Sequence, residues 1–273
     1  MTISRDGVAY GGPGLSGSPP SQPLAPPSPL VAAGTALFLD FDGTLVDIAD
    51  HPDDVVVAPD LAGLVYGLSD ALDGRLAIVT GRSIAALEAL LGPVACGIAG
   101  SHGGEFRPLA AGPVHPLADP LPPRVVAVLE QFGRANGGLL VEPKPFSVAV
   151  HYRHHPEAVE GLQACAQALA GEFGLGLKHG KQVIELTMPG SDKGKAVARF
   201  MALPSFADAT PLFLGDDVTD EDAFRAVDDL GGQGVLVGPL RTTAASRHLP
   251  DVPAVHAWLK AGLEAAAQGE TCA

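Results

Sequence analysis

The sequence predicts an α/β protein in which a Rossmann-like parallel sheet forms the core and an α+β cap domain is inserted into it. Short apolar runs alternate with amphipathic segments towards both ends of the chain, which is the order of a parallel sheet with helices on its faces. Between these regions a helix-strand-strand unit occurs twice. With 273 residues, 47% of them hydrophobic, the chain is large enough to bury both cores.

The domain limits follow from the same patterns. Residues 1–35 are rich in Pro, Gly and Ser and have no hydrophobic period, so we expect a disordered tail. The core is predicted to comprise residues 36–106 and 188–273, and the cap residues 107–187.

The first core segment begins with the strand ALFLD, residues 36–40. An amphipathic helix over 59–72, the strand RLAIVT over 75–80 and a second helix over 83–91 follow. This alternation predicts two parallel strands joined by a helical crossover.

The inserted cap shows a different order of elements. Each of its two units has an amphipathic helix followed by a pair of short strands with alternating polarity. The predicted elements are the helices 123–136 and 156–173 and the strands 139–144, 147–153, 175–181 and 182–187.

The second core segment returns to the α/β pattern. It contains a helix over 193–202, the strand PLFLGDD over 211–217, a helix over 219–232, the strand GVLVG over 234–238 and a closing helix over 252–267. Thr219 and Asp222 have capping-box spacing, which predicts that the middle helix starts at this point.

Composition limits the classes of function. A formal net charge of −14, with only 17 Lys and Arg, argues against nucleic acid as a partner. Three cysteines without C-x-x-C spacing fit a reducing compartment, so we predict a cytoplasmic protein. No signal-peptide pattern or membrane-length apolar run is present, and no heptad seam is evident, so we expect no membrane partner and a monomer.

Two aspartates follow the first strand with one residue between them. Side chains two apart on a strand point the same way, so Asp40 and Asp42 project together where Gly43 lets the chain turn. Ligands of open parallel sheets bind beyond the carboxyl ends of the strands. Two carboxylates this close repel, and a cation or a shared proton has to relieve the repulsion. Taken alone, the pair also fits a solvated turn.

Two further strands end in matching chemistry. RLAIVTGR ends at Thr80 and Arg82, and PLFLGDD ends at Asp216 and Asp217. Oxygen ligands of this kind suit a hard divalent cation, and we predict Mg²⁺. Asp216 is the main additional metal candidate, with Asp217 and Asp220 as second choices.

A buried cation is predicted at the start of the helix over 193–202. If Ser191 caps this helix, Lys193 shares a face with Val197 and Phe200 and points inward. An inward lysine needs a partner, and the aspartate cluster supplies one.

These residues resemble the four ordered motifs of the haloacid dehalogenase-like phosphatases. The motifs are DFDGT at 40–44, TGR at 80–82, the Lys193-Gly194 pair and GDDVTDEDAF at 215–224. The double aspartate, the SHGGE segment and the repeated cap unit are similar to those of the trehalose-6-phosphate phosphatases in particular.

The resemblance implies a mechanism. Asp40 would attack phosphorus and form an aspartyl phosphate, and Asp42 would act as acid and base. Mg²⁺ would be held by the Asp40 carboxylate, the Asp42 backbone carbonyl and Asp216, while Lys193 and Thr80 would stabilise the phosphoryl oxygens. It also implies a trehalose-biosynthetic hydrolase that takes a small sugar phosphate as substrate.

Strand alternation in the cap predicts a polar face that could bind sugar hydroxyls. Cross-strand ion pairs on a solvated sheet would give the same pattern, and the resemblance of E-x-K and H-x-R to the family's sugar-binding segment favours the first interpretation. His102 could be a ligand or only a turn residue. The predicted substrate-binding residues are Glu142, Lys144, His151, Arg153, Lys181, Glu185, His102 and Arg82.

Other functions remain open at this point. A response-regulator-like receiver also places aspartates and a lysine at a sheet edge, but the inserted domain and the D-x-D spacing count against it. A non-enzymatic sugar-phosphate sensor would not need both Asp40 and Asp42. A phosphatase for sucrose phosphate or mannosylglycerate phosphate is the main alternative.

Overall fold

A computed structural model describes residues 24–49, 54–110, 112–180, 182–190 and 192–269. The strands are β1 (Thr35–Leu39), β2 (Leu76–Val79), β3 (Gly97–Gly100), β4 (Glu105–Arg107), β5 (His115–Pro116), β6 (Leu140–Pro143), β7 (Ser147–His151), β8 (Gly176–Gly180), β9 (Val183–Thr187), β10 (Thr210–Gly215), β11 (Gln233–Val237) and β12 (Arg247–Leu249). The helices are α1 (Leu61–Ala71), α2 (Ile84–Leu91), α3 (Pro123–Ala135), α4 (Val159–Phe173), α5 (Lys193–Met201), α6 (Glu221–Asp229) and α7 (Val252–Ala267).

The core is a sheet of eight strands in the order β12-β11-β10-β1-β2-β3-β4-β5. The strands from β12 to β3 pair in parallel, and β4 and β5 add an antiparallel edge. β1 lies in the middle, where Phe38 is in register with Phe213 on one side and Ala77 on the other. The predicted α/β fold with a parallel core is therefore confirmed.

Alternate residues of β1 enter two different apolar layers. Leu37 and Leu39 pack with α1, α2 and α7 on one face of the sheet. Ala36 and Phe38 pack with α5 and α6 on the other face. Because helices cover both faces of the sheet, consecutive residues of its central strands are apolar.

The cap is a four-stranded antiparallel sheet in the order β6-β7-β9-β8. Helices α3 and α4 pack against one face through Val125, Leu129, Leu162 and Ala166, together with Val148 and Ile184 of the strands. The opposite face carries the polar side chains and lies over the carboxyl edge of the core sheet, where the two domains enclose a cleft.

The predicted boundary between core and cap falls inside β4. The chain stays in the larger sheet through β5, which pairs Phe106 with His115, and it enters α3 only at Pro123. The predicted boundary between residues 106 and 107 therefore lies too early in the chain. The sequences of β4 and β5 have no pattern that distinguishes them from cap strands.

The predicted disordered tail is too long at its C-terminal end. Leu30 is buried against Gly262 of α7, and Trp258 Nε1 donates a hydrogen bond to the Ser28 carbonyl. His248 N–H donates to the Ala25 carbonyl. A few apolar contacts and backbone hydrogen bonds thus order residues 24–34 despite their composition, while residues 1–23 lie outside the described part.

Two predicted helix caps are wrong. Asp192, not Ser191, caps α5 by accepting a hydrogen bond from Lys195 N–H. Ser191 itself lies outside the described residues. Before α6, the capping box is formed by Asp217 and Asp220 around a single 3-10 turn, rather than by Thr219 and Asp222.

Candidate active site

Three buried carboxylates meet at the carboxyl edge of the core sheet. Asp40 follows β1, where its N–H donates to the Leu214 carbonyl, and Asp216 follows the adjacent β10. One oxygen from each of Asp40, Asp216 and Asp220 lies within 4.8 Å of the others. Burial raises the pKa of Asp40, and the charges of Asp220 and Asp216 act in the same direction. The cluster therefore favours a cation.

Lys193 is the cation that the chain itself supplies. Its Nζ lies 2.8 Å from Asp40 Oδ1 and 2.6 Å from Asp220 Oδ1, and only 2% of its side chain is exposed. Burial alone would lower the pKa of Lys193, but the two carboxylates outweigh it and raise that pKa. The predicted inward orientation of Lys193 agrees with this position.

Asp220 holds this arrangement together. Its Oδ1 accepts from Lys193, and its Oδ2 accepts from the N–H groups of Asp216 and Asp217 at 3.0 and 2.9 Å. Both oxygens are therefore engaged within the protein. Asp220 is therefore the anchor of Lys193, and its place as a second-choice metal ligand stays a prediction.

Asp40 and Asp216 remain as carboxylates that could hold a divalent cation. Gly43 has φ of +81° and a Cβ built on it would lie 2.3 Å from the Asp216 carboxylate, so the absence of a side chain there lets Asp216 approach the turn after β1. Buried oxygen donors at this spacing suit a hard cation. The residues present therefore fit a metal site.

Asp42 contacts Arg82 rather than the cluster. The guanidinium donates to both carboxylate oxygens of Asp42, each at 2.7 Å, and lies 5.7 Å from the centre of the Phe41 ring. Thr80 is fully buried, and its hydroxyl oxygen accepts from Arg82 N–H at 3.1 Å. Thr80 is not among the described residues that line the cleft.

On the cap side, one row of residues crosses all four strands. Glu142 of β6 is in register with Ala149 of β7, which pairs with Glu185 of β9, which pairs with Lys178 of β8. Residues directly opposite each other on neighbouring strands share a face. Two carboxylates and an ammonium therefore face the core from the cap.

Further polar groups join the Glu142 end of this row. His151 Nε2 lies 3.0 Å from Glu142, and Lys144 Nζ lies 3.8 Å from Glu142 and 3.6 Å from Glu185. Arg153 donates to the Gln182 side chain at 3.0 Å. All of these residues line the cleft, and strand alternation predicted this for each of them except Gln182; Lys181 lies outside the described residues.

Glu185 connects the cap to the core. His102 Nε2 lies 2.8 Å from one of its oxygens, and Ser147 donates to the other at 2.8 Å. Burial would raise the pKa of Glu185, but His102 and Lys144 outweigh it and hold that pKa well below its usual range. Since Glu185 is ionised, His102 Nε2 has to donate, and burial lowers the pKa of His102.

The two sides enclose a cleft of about 480 Å³. Asp40, Asp216 and Lys193 form its floor, and Glu142, Lys178 and Glu185 are among the residues of its roof. Such a space holds a ligand of drug or disaccharide size. Acidic and basic groups line both sides, so the cleft suits a polar ligand with an anionic end.

Sequence reasoning missed Lys178, Ser147 and the anchoring role of Asp220. Lys178 alternates correctly within β8, but its opposition to Glu185 depends on the register of the β8–β9 hairpin. The capping-box spacing of Thr219 and Asp222 conceals the capping role of Asp220, which only the 3-10 turn before α6 reveals. No helix of the described chain is long and apolar enough to cross a membrane.

A parallel sheet with this aspartate pair, buried lysine and inserted cap defines the haloacid dehalogenase-like hydrolases. A solved hydrolase of that description from Bacteroides thetaiotaomicron superposes with a TM-score of 0.57 at 16% identity, covering 86% of this chain and 99% of that one, which shows the shared fold.

The chain belongs to the trehalose-phosphatase family, whose sequence model matches residues 38–251. It is 38% identical over 236 residues to the trehalose-6-phosphate phosphatase of Escherichia coli strain K12, covering 85% of this chain and 88% of that protein. It is 41% identical over 226 residues to a protein of Sinorhizobium fredii named as a probable trehalose-phosphate phosphatase, covering 81% of this chain and 84% of the relative.

A solved structure also resembles it at the level of the whole fold. The C-terminal domain of the C. albicans trehalose-6-phosphate phosphatase superposes with a TM-score of 0.75 at 25% identity, covering 85% of this chain and 92% of that one. The predicted family is thereby confirmed, and the chain is a phosphatase of this family with a small sugar phosphate as the class of substrate.

Proposed function

We propose that this protein hydrolyses trehalose 6-phosphate to trehalose and phosphate, the last step of trehalose biosynthesis. The observation that carries the proposal is the opposition of the Asp40 cluster to the polar cap row across one cleft. The Asp40 cluster can act on a phosphoryl group, and the polar cap row can bind sugar hydroxyls. The names of the relatives point to the same substrate.

Asp40 is the proposed nucleophile. An oxygen of its carboxylate forms a bond to phosphorus while the bond from phosphorus to the sugar oxygen breaks, which leaves an aspartyl phosphate. Water then attacks the same phosphorus and releases phosphate and the free carboxylate. Lys193 keeps Asp40 oriented and places its charge beside the developing phosphoryl charge.

Asp42 is the proposed acid and base. It gives a proton to the departing sugar oxygen and takes one from the attacking water in the second step. Arg82 donates hydrogen bonds to both carboxylate oxygens of Asp42. At least one of these bonds has to break before Asp42 can give or take a proton. Arg82, freed in this way, can bind the substrate. The buried Thr80 hydroxyl accepts a hydrogen bond from Arg82 N–H and so orients this loop. The Thr80 side chain would have to rotate before its hydroxyl could contact the phosphate.

The residues of the cluster fit a divalent cation, and we propose Mg²⁺, held by the Asp40 carboxylate, the Asp42 main-chain carbonyl and Asp216. When bound, the ion neutralises negative charge on the phosphoryl group. Asp217 keeps its side chain in the capping box of the following turn, which makes it the weaker ligand candidate.

The cap supplies the proposed sugar specificity. Glu142, Lys144 and Glu185 offer acceptors and donors at the Asp42 end of the cleft, and His151 and Arg153 extend the same face. A site built from buried hydrogen-bonding groups rejects analogues that leave those groups unpaired. Lys181 stays a predicted member of this set.

The test is phosphate release by the purified protein with Mg²⁺ and with a chelator. The substrates are trehalose 6-phosphate, sucrose 6-phosphate, glucose 6-phosphate and an aryl phosphate. Strong preference for trehalose 6-phosphate that chelation abolishes supports the proposal. Preference for another sugar phosphate would overturn the assigned sugar, and absence of release from all four would overturn the phosphatase in favour of a sensor.

The predicted cytoplasmic, monomeric state is also a proposal. Cys96 and Cys165 are free thiols, which agrees with a reducing compartment. Sedimentation velocity over a range of concentrations tests the monomer, and a mass that rises towards twice the chain's would overturn it.

A further inference from the structure

Lys178 stands out among the cations of the cleft. It lies on β8 and pairs across the strands with Glu185, on the cap face that looks towards Asp40. Its Nζ atom is buried and has no hydrogen-bond partner within the described part of the protein. A buried ammonium without a hydrogen bond is costly, so its retention at this position calls for an explanation.

The other described cations near the phosphoryl end are already engaged. Lys193 lies against two carboxylates, Arg82 holds Asp42 with two hydrogen bonds, and Lys144 lies within 4 Å of two glutamates. A substrate dianion that enters the cleft therefore meets cations whose charge is largely balanced. Lys178 retains its full donor capacity.

The surroundings of Lys178 point towards the phosphoryl site. Glu185 of the cap and Lys193 of the core are the charged groups that act most strongly on its ammonium. Glu185 is held by His102 and Ser147, so it is not free to turn towards Lys178. Burial, supported by the like charge of Lys193, lowers the pKa of Lys178. An anion bound between Lys178 and Lys193 would offset both the burial of the Lys178 ammonium and its repulsion by Lys193.

We propose that Lys178 is a substrate-binding residue that donates from the cap to the phosphoryl group of the bound sugar phosphate. The inference rests on the proposed function and adds a contact from the roof of the cleft to the contact that Lys193 would make from its floor. In this arrangement, the cap contacts the phosphoryl group as well as the sugar. The position of the cap therefore depends on whether a phosphoryl group is bound.

The test compares Lys178→Met and Lys178→Arg with the wild type. Lys260→Met serves as control, because Lys260 lies on α7 outside the cleft and pairs with the exposed Asp60. Titration calorimetry with inorganic phosphate, and separately with trehalose, is carried out in the presence of Mg²⁺. Steady-state kinetics with trehalose 6-phosphate and thermal unfolding complete the set.

Lys178→Met is expected to weaken phosphate binding roughly tenfold or more, the usual effect of losing a charge-assisted hydrogen bond, and to leave trehalose binding within about twofold. Lys178→Arg should restore most of the phosphate affinity. Lys178→Met should also raise Tm, because it removes an unpaired buried charge, whereas a lysine with only a structural role would lower Tm when replaced. Lys260→Met should change neither affinity.

Three outcomes overturn the inference. Unchanged phosphate affinity in Lys178→Met removes the proposed contact, and weakened trehalose binding with unchanged phosphate binding assigns Lys178 to the sugar instead. A lower Tm with both affinities retained makes it structural. If the wild type binds phosphate but does not hydrolyse trehalose 6-phosphate, the proposed function fails while the phosphate titration still decides the role of Lys178.

Discussion

The Lys193 ammonium donates to the buried carboxylate of Asp220 at 2.6 Å, and this pair joins the first helix turn after the cap to the loop after β10. Asp220 is fully buried and Lys193 nearly so. The pair therefore fixes the lysine that stands beside Asp40.

Asp220→Asn should destabilise the protein and impair catalysis together. Removing one partner leaves a buried charge under-compensated, which typically costs about 3–5 kcal/mol. Chemical denaturation should show this loss, and kcat for trehalose 6-phosphate should fall because Lys193 is no longer held. Asp222→Asn is the control: Asp222 is half exposed and forms an ion pair with the exposed Arg225, so the unfolding free energy of this variant should stay within about 0.5 kcal/mol of the wild type. Equal effects in the two variants would refute the anchor role.

Asp40→Asn should abolish turnover and leave the fold intact. The amide is not a nucleophile, so kcat should fall by more than about a thousandfold. Stability should be retained, since Lys193 keeps Asp220 and one repelling carboxylate is removed. Phosphate release and circular dichroism measure the two effects. Asp47→Asn, at an exposed position just after the motif, should be as active as wild type. Near-normal turnover by folded Asp40→Asn would remove the nucleophile assignment.

The strand ends and Lys193 could be predicted because each depends on local periodicity. Asp40 and Asp42 follow an apolar run that ends at a glycine turn, and the helical period places Lys193 on the face of Val197 and Phe200. The parallel sheet then brings these ends together without further information.

Contacts that depend on register or on single partners could not be predicted. The opposition of Lys178 to Glu185 is set by the β8–β9 pairing, and a shift of one residue would have turned Lys178 away. The contact of His102 with Glu185 joins residues 83 positions apart, across the two domains. Leu30 is ordered by a surface of α7 that no local pattern reveals.

The burial of His102 predicts a pH dependence of stability, which its contact with Glu185 opposes without cancelling it. Burial lowers the pKa of His102 below its ordinary value of 6.5, so the unfolded chain takes up the proton at a higher pH than the folded chain. The contribution of neutral His102 to the unfolding free energy is fully present above pH 6.5. It is lost as the pH falls through 6.5 towards the folded-state pKa of His102. The unfolding free energy should therefore decline over that interval.

His102→Asn should flatten this decline. Asparagine tolerates the left-handed backbone of residue 102, where φ is +54°, but it does not titrate. Thermal unfolding from pH 7.5 to 5, in steps, measures the slope of the pH dependence. The exposed His115 is the control, and His115→Asn should keep the wild-type slope. An unchanged slope in His102→Asn would show that its titration does not contribute.

Glu142→Gln should alter substrate preference rather than chemistry. Glu142 accepts from His151, lies near Lys144 and lines the cleft in the cap row that is proposed to bind the sugar. Losing a charged acceptor for a hydroxyl costs about 1.5–3 kcal/mol. The ratio of kcat/KM for trehalose 6-phosphate to that for an aryl phosphate should therefore fall roughly tenfold or more. Glu157→Gln, exposed on the cap, should leave the ratio unchanged, and an equal fall for both substrates in Glu142→Gln would argue against sugar recognition.

Gly43→Ala and Gly34→Ala form a matched pair that tests the metal site. Both glycines have positive φ, +81° and +74°, so alanine should cost each about 1–2 kcal/mol of backbone strain. A Cβ at Gly34 meets nothing within 4 Å, whereas one at Gly43 would lie 2.3 Å from the Asp216 carboxylate and displace it. Only Gly43→Ala should lose Mg²⁺ affinity in calorimetric titration, together with the rise in Tm that Mg²⁺ gives the wild type. If both variants bind Mg²⁺ as the wild type does, Asp216 is not a ligand, since its displacement leaves the ion in place.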